Sequence, residues 1–160
     1  MRHVCCTASL LCLLAAGTAQ AGPCAYPGES SALQARVLQT ELMVAALTCN
    51  QKDKYNAFVR KFKDELTGLG GNLKAYFVRT RGGRANRDLN ELVTNLANEA
   101  SQRSLRHQTN FCSESIQLFD ALLKMEPKGL ATFAASRPHA DSHGIESCQL
   151  SAKKVATPGS

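Results

Sequence analysis

The chain has 160 residues, 44% of them hydrophobic, and it carries 19 Lys and Arg against 13 Asp and Glu, a formal net charge of +6. This length suits one domain with a modest core, and the charge favours either simple solubility or anionic partners such as lipid head groups and acidic glycans. The apolar run from Val4 to Ala16 is shorter than the roughly 20 residues that a bilayer core requires, which argues against a membrane-spanning helix.

The first 21 residues have the three parts of a cleavable export signal. Met1-Arg2-His3 gives a positive start, the apolar run follows, and Ala19-Gln20-Ala21 has the small residues of a cleavage site. We expect residues 1–21 to be removed, which leaves 139 residues and a net charge of +5, because Arg2 leaves with the signal. The alternative is a retained anchor. The mature protein is then expected to be periplasmic or secreted, with no stable membrane span.

Four of the seven cysteines remain after this cleavage: Cys24, Cys49, Cys112 and Cys148. An even set in an exported chain predicts two disulfides, because compartments outside the cytosol let such bonds persist. The spacing alone does not choose among the three possible pairings.

In the first half of the mature chain, the sequence pattern predicts an irregular arm and three helices. The arm, 22–30, is rich in proline and glycine. A first helix is expected from about Ser31 to Thr48, where a capping-box pattern opens an apolar stripe. A second covers the segment from Tyr55 to Leu69, whose apolar residues recur at helical spacing. Three glycines, Gly68, Gly70 and Gly71, are expected to end it, and a short third helix from Asn72 to Arg79 follows.

In the second half of the mature chain, the pattern predicts two longer helices after a glycine-containing loop at 81–84. The fourth helix is expected from about Arg87 to Arg106 and the fifth from about Asn110 to Met125, followed by a short helical turn at 130–136. Residues 138–160 should be mostly irregular. Because no strand-like alternation occurs, the fold class is all-α. We expect a small disulfide-stapled bundle of about five helices, with the helical domain at 31–137.

The order of the helices suggests how the cysteines pair. If the short third helix only turns the corner, the first and fifth helices run antiparallel, and Cys49 at the end of one meets Cys112 at the start of the other. Cys24 and Cys148 would then staple the two termini, and both bonds would meet the short Cα separation that a disulfide needs. If the third helix is a full member of the bundle, this argument weakens.

The common catalytic and cofactor motifs are missing from the sequence. There is no Cys-x-x-Cys redox or haem motif, no Gly-x-Ser-x-Gly elbow, no His-Glu-x-x-His zinc motif and no phosphate-binding glycine loop. We therefore predict no catalytic residue and no cofactor. The alternative, an enzyme acting on an envelope polymer, would require Glu99, His107 or Glu114 in a cleft with a perturbed pKa.

Five basic residues surround the glycine loop and form a possible site for an anion or a partner: Lys74, Arg79, Arg81, Arg84 and Arg87. The loop would let the guanidinium groups converge on a phosphate or carboxylate, which they bind through two parallel hydrogen bonds. The ordinary interpretation is a solvated corner whose arginines cap the third helix. Export argues against nucleic acid as the partner.

Two histidines and an aspartate in the tail form a weak candidate metal site: His139, Asp141 and His143. Imidazole and carboxylate groups at this spacing can bind zinc, copper or nickel. A bound metal would also need a fourth ligand and supporting groups that the flanking residues do not provide. A polar tail that contains histidines is the favoured interpretation, so no metal site is predicted.

Three stretches of the chain resemble small exported helical proteins of proteobacteria that have no assigned activity. They are 47–59 (LTCNQKDKYNAFV), 96–101 (LANEAS) and the pair Phe111-Cys112. The resemblance covers roughly residues 31–125, and it rests on cysteines and helix-packing residues. It implies export and fold only.

Taken together, these patterns predict an exported non-catalytic helical protein that acts as an interaction module in the envelope. Its expected partner is an envelope protein or an anionic envelope component. The alternative function is that of a carrier for a small hydrophobic ligand or a metal ion, in which aromatic residues of the core would open into a pocket between helices.

Overall fold

The computed structural model describes residues 23–148. The predicted signal peptide and the last part of the predicted tail, 149–160, lie outside the described residues. Within residues 23–148 the chain forms α-helices and short 3₁₀ turns, with no strand beyond a single isolated bridge, which confirms the all-α prediction. The helices are α1 (Pro27–Thr48), α2 (Lys52–Lys61), α3 (Lys63–Arg81), α4 (Ala85–Arg106), α5 (Gln108–Lys124) and α6 (Leu130–Ala135). None of these helices has an apolar stretch that could span a bilayer.

Helix α1 is the centre of the bundle and contacts all five other helices. It begins four residues before the predicted start, at Pro27, because proline suits the first helical position, where its missing N–H is not needed. The Glu29 carboxylate accepts a hydrogen bond from the backbone N–H of Tyr26 at 2.8 Å, which satisfies one of the free donors at this end. The predicted irregular arm is therefore shorter than expected.

The boundary between the second and third helices differs from the prediction. The chain bends at Phe62, and α3 then continues through Gly68, Gly70 and Gly71 to Arg81. A glycine costs about 1 kcal/mol relative to alanine inside a helix. That cost is offset because Leu73, Tyr76 and Phe77 on the same helix are buried, and α3 packs along α1.

The core consists of two apolar clusters, one that includes Ala32 and Leu33 near the start of α1 and one that includes residues from Ala35 to Ala46 of the same helix. The larger contains Phe58, Phe62 and Phe119, each with no exposed surface, and joins α1 to α2, α5 and α6. The smaller contains Leu33, Leu73 and Tyr76 and joins α1 to α3 and the start of α4. The aromatic side chains predicted to form the core are thus largely buried in it.

Both disulfides form in the predicted pairing. Cys49–Cys112 joins the end of α1 to the first turns of α5, with a Cα–Cα distance of 5.4 Å. Cys24–Cys148 joins the two ends of the described chain, with a Cα–Cα distance of 4.9 Å. The segment after α6 has no helix, as predicted, but it packs onto the bundle: Ala140 and His143 are buried. The all-α, disulfide-stapled bundle predicted from the sequence is confirmed.

Candidate functional site

Intramolecular contacts hold three of the five basic residues around the glycine loop: Arg79, Arg81 and Arg87. The Arg79 guanidinium donates hydrogen bonds to the Glu29 carboxylate and to the Cys24 carbonyl oxygen at 2.8 Å, and it stacks 4.4 Å from the centre of the Tyr26 ring. The hydrogen bond from Arg79 holds the pKa of Glu29 below its ordinary value. Arg79 therefore fastens the N-terminal segment to α3.

The other four basic residues of this corner lie along the surface. Arg81 and Arg87 both approach the Asp88 carboxylate, at 3.8 and 3.2 Å. Lys74 and Arg84 are exposed, and neither makes an ion pair among residues 23–148. Within residues 23–148 the corner therefore contains three arginines that face carboxylates and two cations without an ion pair. Its role as an anion or partner site stays a prediction.

The two histidines of the candidate metal site differ in their exposure to solvent. The His143 side chain is only 1% exposed, and its Nδ1 accepts a hydrogen bond from the Ile145 backbone N–H at 3.1 Å. Burial lowers the pKa of His143, while the Asp141 carboxylate, 3.6 Å from Nε2, partly opposes this effect. His139 is exposed. Across residues 23–148, no three His, Cys, Asp or Glu side chains are grouped to hold a metal.

A cleft of about 420 Å³ opens where four segments of the chain meet. Its walls come from α1, the end of α4, the first turns of α5 and the segment that follows α6. We call it the arginine cleft. Its lining residues are Glu41, Arg103, Arg106, His107, Asn110, Phe111, Glu114, Arg137, Pro138 and His139.

The local sequence explains why these side chains share one cleft. Arg103 and Arg106 are three residues apart near the end of α4, so they lie on the same side of the helix. His107 alone links α4 to α5. Phe111 and Glu114 then lie three residues apart on α5, where Phe111 is 8% exposed and gives the cleft an apolar floor. The neighbouring Cys112 ties this turn to α1.

The charges in the cleft fall into a paired and an unpaired group. The Arg103 guanidinium donates to Glu99 at 2.8 Å and to Glu41 at 3.3 Å, so its charge is compensated within the protein. Arg106, Arg137 and Glu114 also line the cleft, but none of them forms an ion pair with another part of residues 23–148. Two guanidinium groups and one carboxylate therefore remain available to a ligand.

Two further clefts of similar size can be compared with the arginine cleft within residues 23–148. One, of about 410 Å³, lies beside Cys24 and the segment 144–146, and the other, of about 490 Å³, lies between 61–65 and 126–128. The first of these contains Arg81, which is already near Asp88. The second mixes lysines with acidic side chains and has no buried aromatic floor. Of these three clefts, the arginine cleft is the one in which charges without an ion pair in residues 23–148 surround a buried aromatic ring.

Some of the residues in the arginine cleft were predicted to have other roles. His107 and Glu114 were candidates for an envelope-degrading enzyme, and His139 belonged to the possible metal set; the structure brings all three to the arginine cleft. Glu99 instead pairs with Arg103. Arg106 and Arg137 had no predicted binding role, since they are far apart in sequence and match no motif.

No family model, curated protein or solved structure matches this chain. The resemblance to exported proteobacterial proteins stays a prediction. The chemistry of the arginine cleft is therefore the basis for the functional conclusion.

Proposed function

We propose that this protein is an exported, non-catalytic helical module that binds an anionic envelope component in the arginine cleft. The observation that carries the proposal is the pair of Arg106 and Arg137. Both guanidinium groups line one cleft, and neither forms an ion pair with another described residue. Each is able to donate two parallel hydrogen bonds to a phosphate or carboxylate group.

Export is supported by two independent features. Residues 1–21 have the pattern of a signal peptide, and the four cysteines that follow pair as two disulfides. Disulfides persist in oxidising compartments and are rare in the cytosol. The resemblance to exported proteobacterial proteins favours the periplasm over other oxidising compartments.

The charge of Arg137 is better protected from solvent than that of Arg106, which is exposed. Arg137 is partly buried, and its guanidinium lies 5.8 Å from the centre of the Phe133 ring. Partial burial reduces the screening of charge by water and salt. It also limits the side-chain freedom that is lost when a ligand is bound.

The carrier alternative receives less support from the packing. A hydrophobic ligand between the helices would have to displace Phe58, Phe62 or Phe119, which have no exposed surface. The enzyme alternative retains one feature in its favour, since His107 and Glu114 line the same cleft. It predicts turnover of an envelope polymer that is lost in a Glu114→Gln variant, whereas our proposal predicts binding without turnover.

The proposal is tested by titrating the oxidised mature protein with inorganic phosphate and following backbone amide shifts by NMR. We expect shifts that centre on 103–114 and 137–139 and that disappear in an Arg106→Ser/Arg137→Ser variant. The matched control is Lys74→Ser/Arg84→Ser, which removes two positive charges from exposed positions outside the cleft. Equal loss in both variants would indicate general charge attraction and contradict a specific site.

A further inference from the structure

We propose that the ligand of the arginine cleft is a small zwitterion, in which a phosphate is joined to an ammonium by a short chain. This inference rests on the proposed function, because the phosphate would occupy the site formed by Arg106 and Arg137. The additional observation is Glu114. Its carboxylate is exposed in the same cleft and forms no ion pair within residues 23–148.

The two other acidic residues near the cleft behave differently. Glu41 lines the cleft as well, but its carboxylate pairs with Arg103, which also binds Glu99. Those two carboxylates are therefore part of the scaffold. Glu114 is the acidic side chain in the cleft that has no such partner in the described chain.

A carboxylate that shares a cleft with two guanidinium groups and pairs with neither is unfavourable for a ligand that carries only negative charge. The carboxylate would repel such a ligand and weaken its binding. It favours a ligand whose positive group meets Glu114 while its negative group meets the arginines. Complementary charges of both signs also fix the orientation of the ligand and exclude wrong ones.

The separation of the charges along α5 suits a ligand with two ends. Glu114 follows His107 by seven residues, which places their backbones roughly 10 Å apart along a helix. Because a phosphate and an ammonium joined by a short chain are closer together than this, the Arg106 and Glu114 side chains would reach toward each other to contact both ends of the ligand. His107 and Arg106 lie at one end of this span and Glu114 at the other. Phe111 lies between them with only 8% of its surface exposed, so the apolar linker of the ligand would lie over this ring.

The number of donors at the arginine end favours phosphate over carboxylate. Each guanidinium has five N–H donors, and the imidazoles of His107 and His139 line the same cleft. A carboxylate offers two oxygens to these groups, whereas a phosphate ester offers more. Arginine is also the residue that proteins use most for bidentate recognition of phosphate.

The test compares three soluble probes in the NMR titration: phosphoethanolamine, inorganic phosphate and ethanolamine. We expect phosphoethanolamine to bind about fivefold more tightly than phosphate, the size of one exposed ion pair. In a Glu114→Gln variant this advantage should disappear, while the affinity for phosphate stays the same or increases. Because Glu114 is exposed and unpaired within 23–148, the variant should fold like the wild type.

Several outcomes separate this inference from the proposed function. If phosphate binds through Arg106 and Arg137 but phosphoethanolamine has no advantage, the zwitterion inference is wrong and the proposed function stands. If the advantage persists in Glu114→Gln, the inference is wrong as well. If no probe containing phosphate binds, both fail.

Vesicles of phosphatidylethanolamine are used to test whether the zwitterion is a lipid head group. Binding to the vesicles that soluble phosphoethanolamine competes away indicates a lipid head group. Binding of the soluble probe without vesicle binding indicates a free or polymer-linked ester. Either result supports the inference, provided that it depends on Glu114.

Discussion

Cys49 and Cys112 are 63 residues apart in sequence, and their disulfide places the end of α1 against the first turns of α5. Phe111 and Glu114, on those same turns, line the arginine cleft. The bond therefore stabilises the fold and also fixes one wall of the candidate site. We therefore expect the oxidised state of the protein to be the one that binds.

Removal of this bond should weaken both stability and binding. For a Cys49→Ser/Cys112→Ser variant we expect the free energy of unfolding to fall by about 4 kcal/mol, because the unfolded chain regains the freedom of a long loop. Phosphate affinity should fall at temperatures where the variant is still folded. Urea unfolding and the NMR titration measure the two effects.

The control for that experiment is the Cys24→Ser/Cys148→Ser variant. Its bond closes a longer loop, 124 residues in sequence separation, so its loss of stability should be at least as large. It does not join α1 to α5, and phosphate affinity should change less than in the first variant. A larger loss of phosphate affinity in the Cys24→Ser/Cys148→Ser variant than in the Cys49→Ser/Cys112→Ser variant would contradict the structural role given to Cys49–Cys112.

Alanine substitutions of the α3 glycines test the continuity of that helix. At Gly68 and Gly71 an added Cβ would meet no atom within 4 Å, so Gly68→Ala and Gly71→Ala should each stabilise the protein by about 0.5–1 kcal/mol. Gly82→Ala is the contrasting variant. Gly82 has φ +53°, a conformation that alanine rarely adopts, so this substitution should destabilise the protein. No gain at Gly68 and Gly71 would indicate that the helix ends there.

His143 should make stability dependent on pH. Burial lowers its pKa in the folded state below the ordinary value near 6.5, so folding favours the neutral imidazole. Its contribution is complete above the unfolded pKa and is lost as pH falls from about 6.5 toward the lower folded pKa. Asp141 opposes this effect.

Unfolding free energies between pH 8 and pH 5 measure that dependence. A His143→Gln variant should lose less stability over this range than the wild type does. His139→Gln is the matched control, because His139 is exposed, and it should follow the wild type. If His143→Gln and the wild type have parallel pH profiles, burial of the imidazole is not the cause.

Glu29 should also make stability dependent on pH, at lower pH than His143 does. The hydrogen bond from Arg79 lowers the pKa of its carboxyl group in the folded state, so its contribution is present above the unfolded pKa and is lost as pH falls through the lower folded value. A Glu29→Gln variant should cost about 1 kcal/mol near pH 7. The difference from the wild type should shrink below pH 4, and a constant difference would contradict the assignment.

The helices were predictable where apolar spacing and end signals agree. The ends of α1 and α4 at Thr48 and Arg106 were predicted correctly, whereas the glycines of α3 were not recognised as helical. Their local preference favours a break, and only burial of Leu73, Tyr76 and Phe77 against α1 offsets it. Tertiary packing of this kind is not visible in a single stretch of sequence.

The disulfide pairing was predicted correctly from a premise that is wrong. The third helix is not a short corner, since α3 extends from Lys63 to Arg81. The pairing holds because α1 packs along α4, with Glu41 in the second half of α1 contacting Arg103 near the end of α4. The single residue His107 then returns the chain into α5 at the same place.

The arginine cleft could not be predicted from the sequence. Its free cations, Arg106 and Arg137, are on segments separated by all of α5 and α6. The corner around Arg79 was easier to notice because its cations are close in sequence. What the sequence does not reveal is that Glu29 and Asp88 hold several of them.

The most direct test of the binding proposal is crosslinking in the native envelope, with a photoreactive amino acid at Asn110 in the arginine cleft. Asn90, exposed on α4, is the control position. Mass spectrometry of the captured species should show an anionic envelope component from Asn110, with much less of it in the Arg106→Ser/Arg137→Ser background. Equal capture from Asn90, or no anionic species from Asn110 in the oxidised protein, would contradict the proposal.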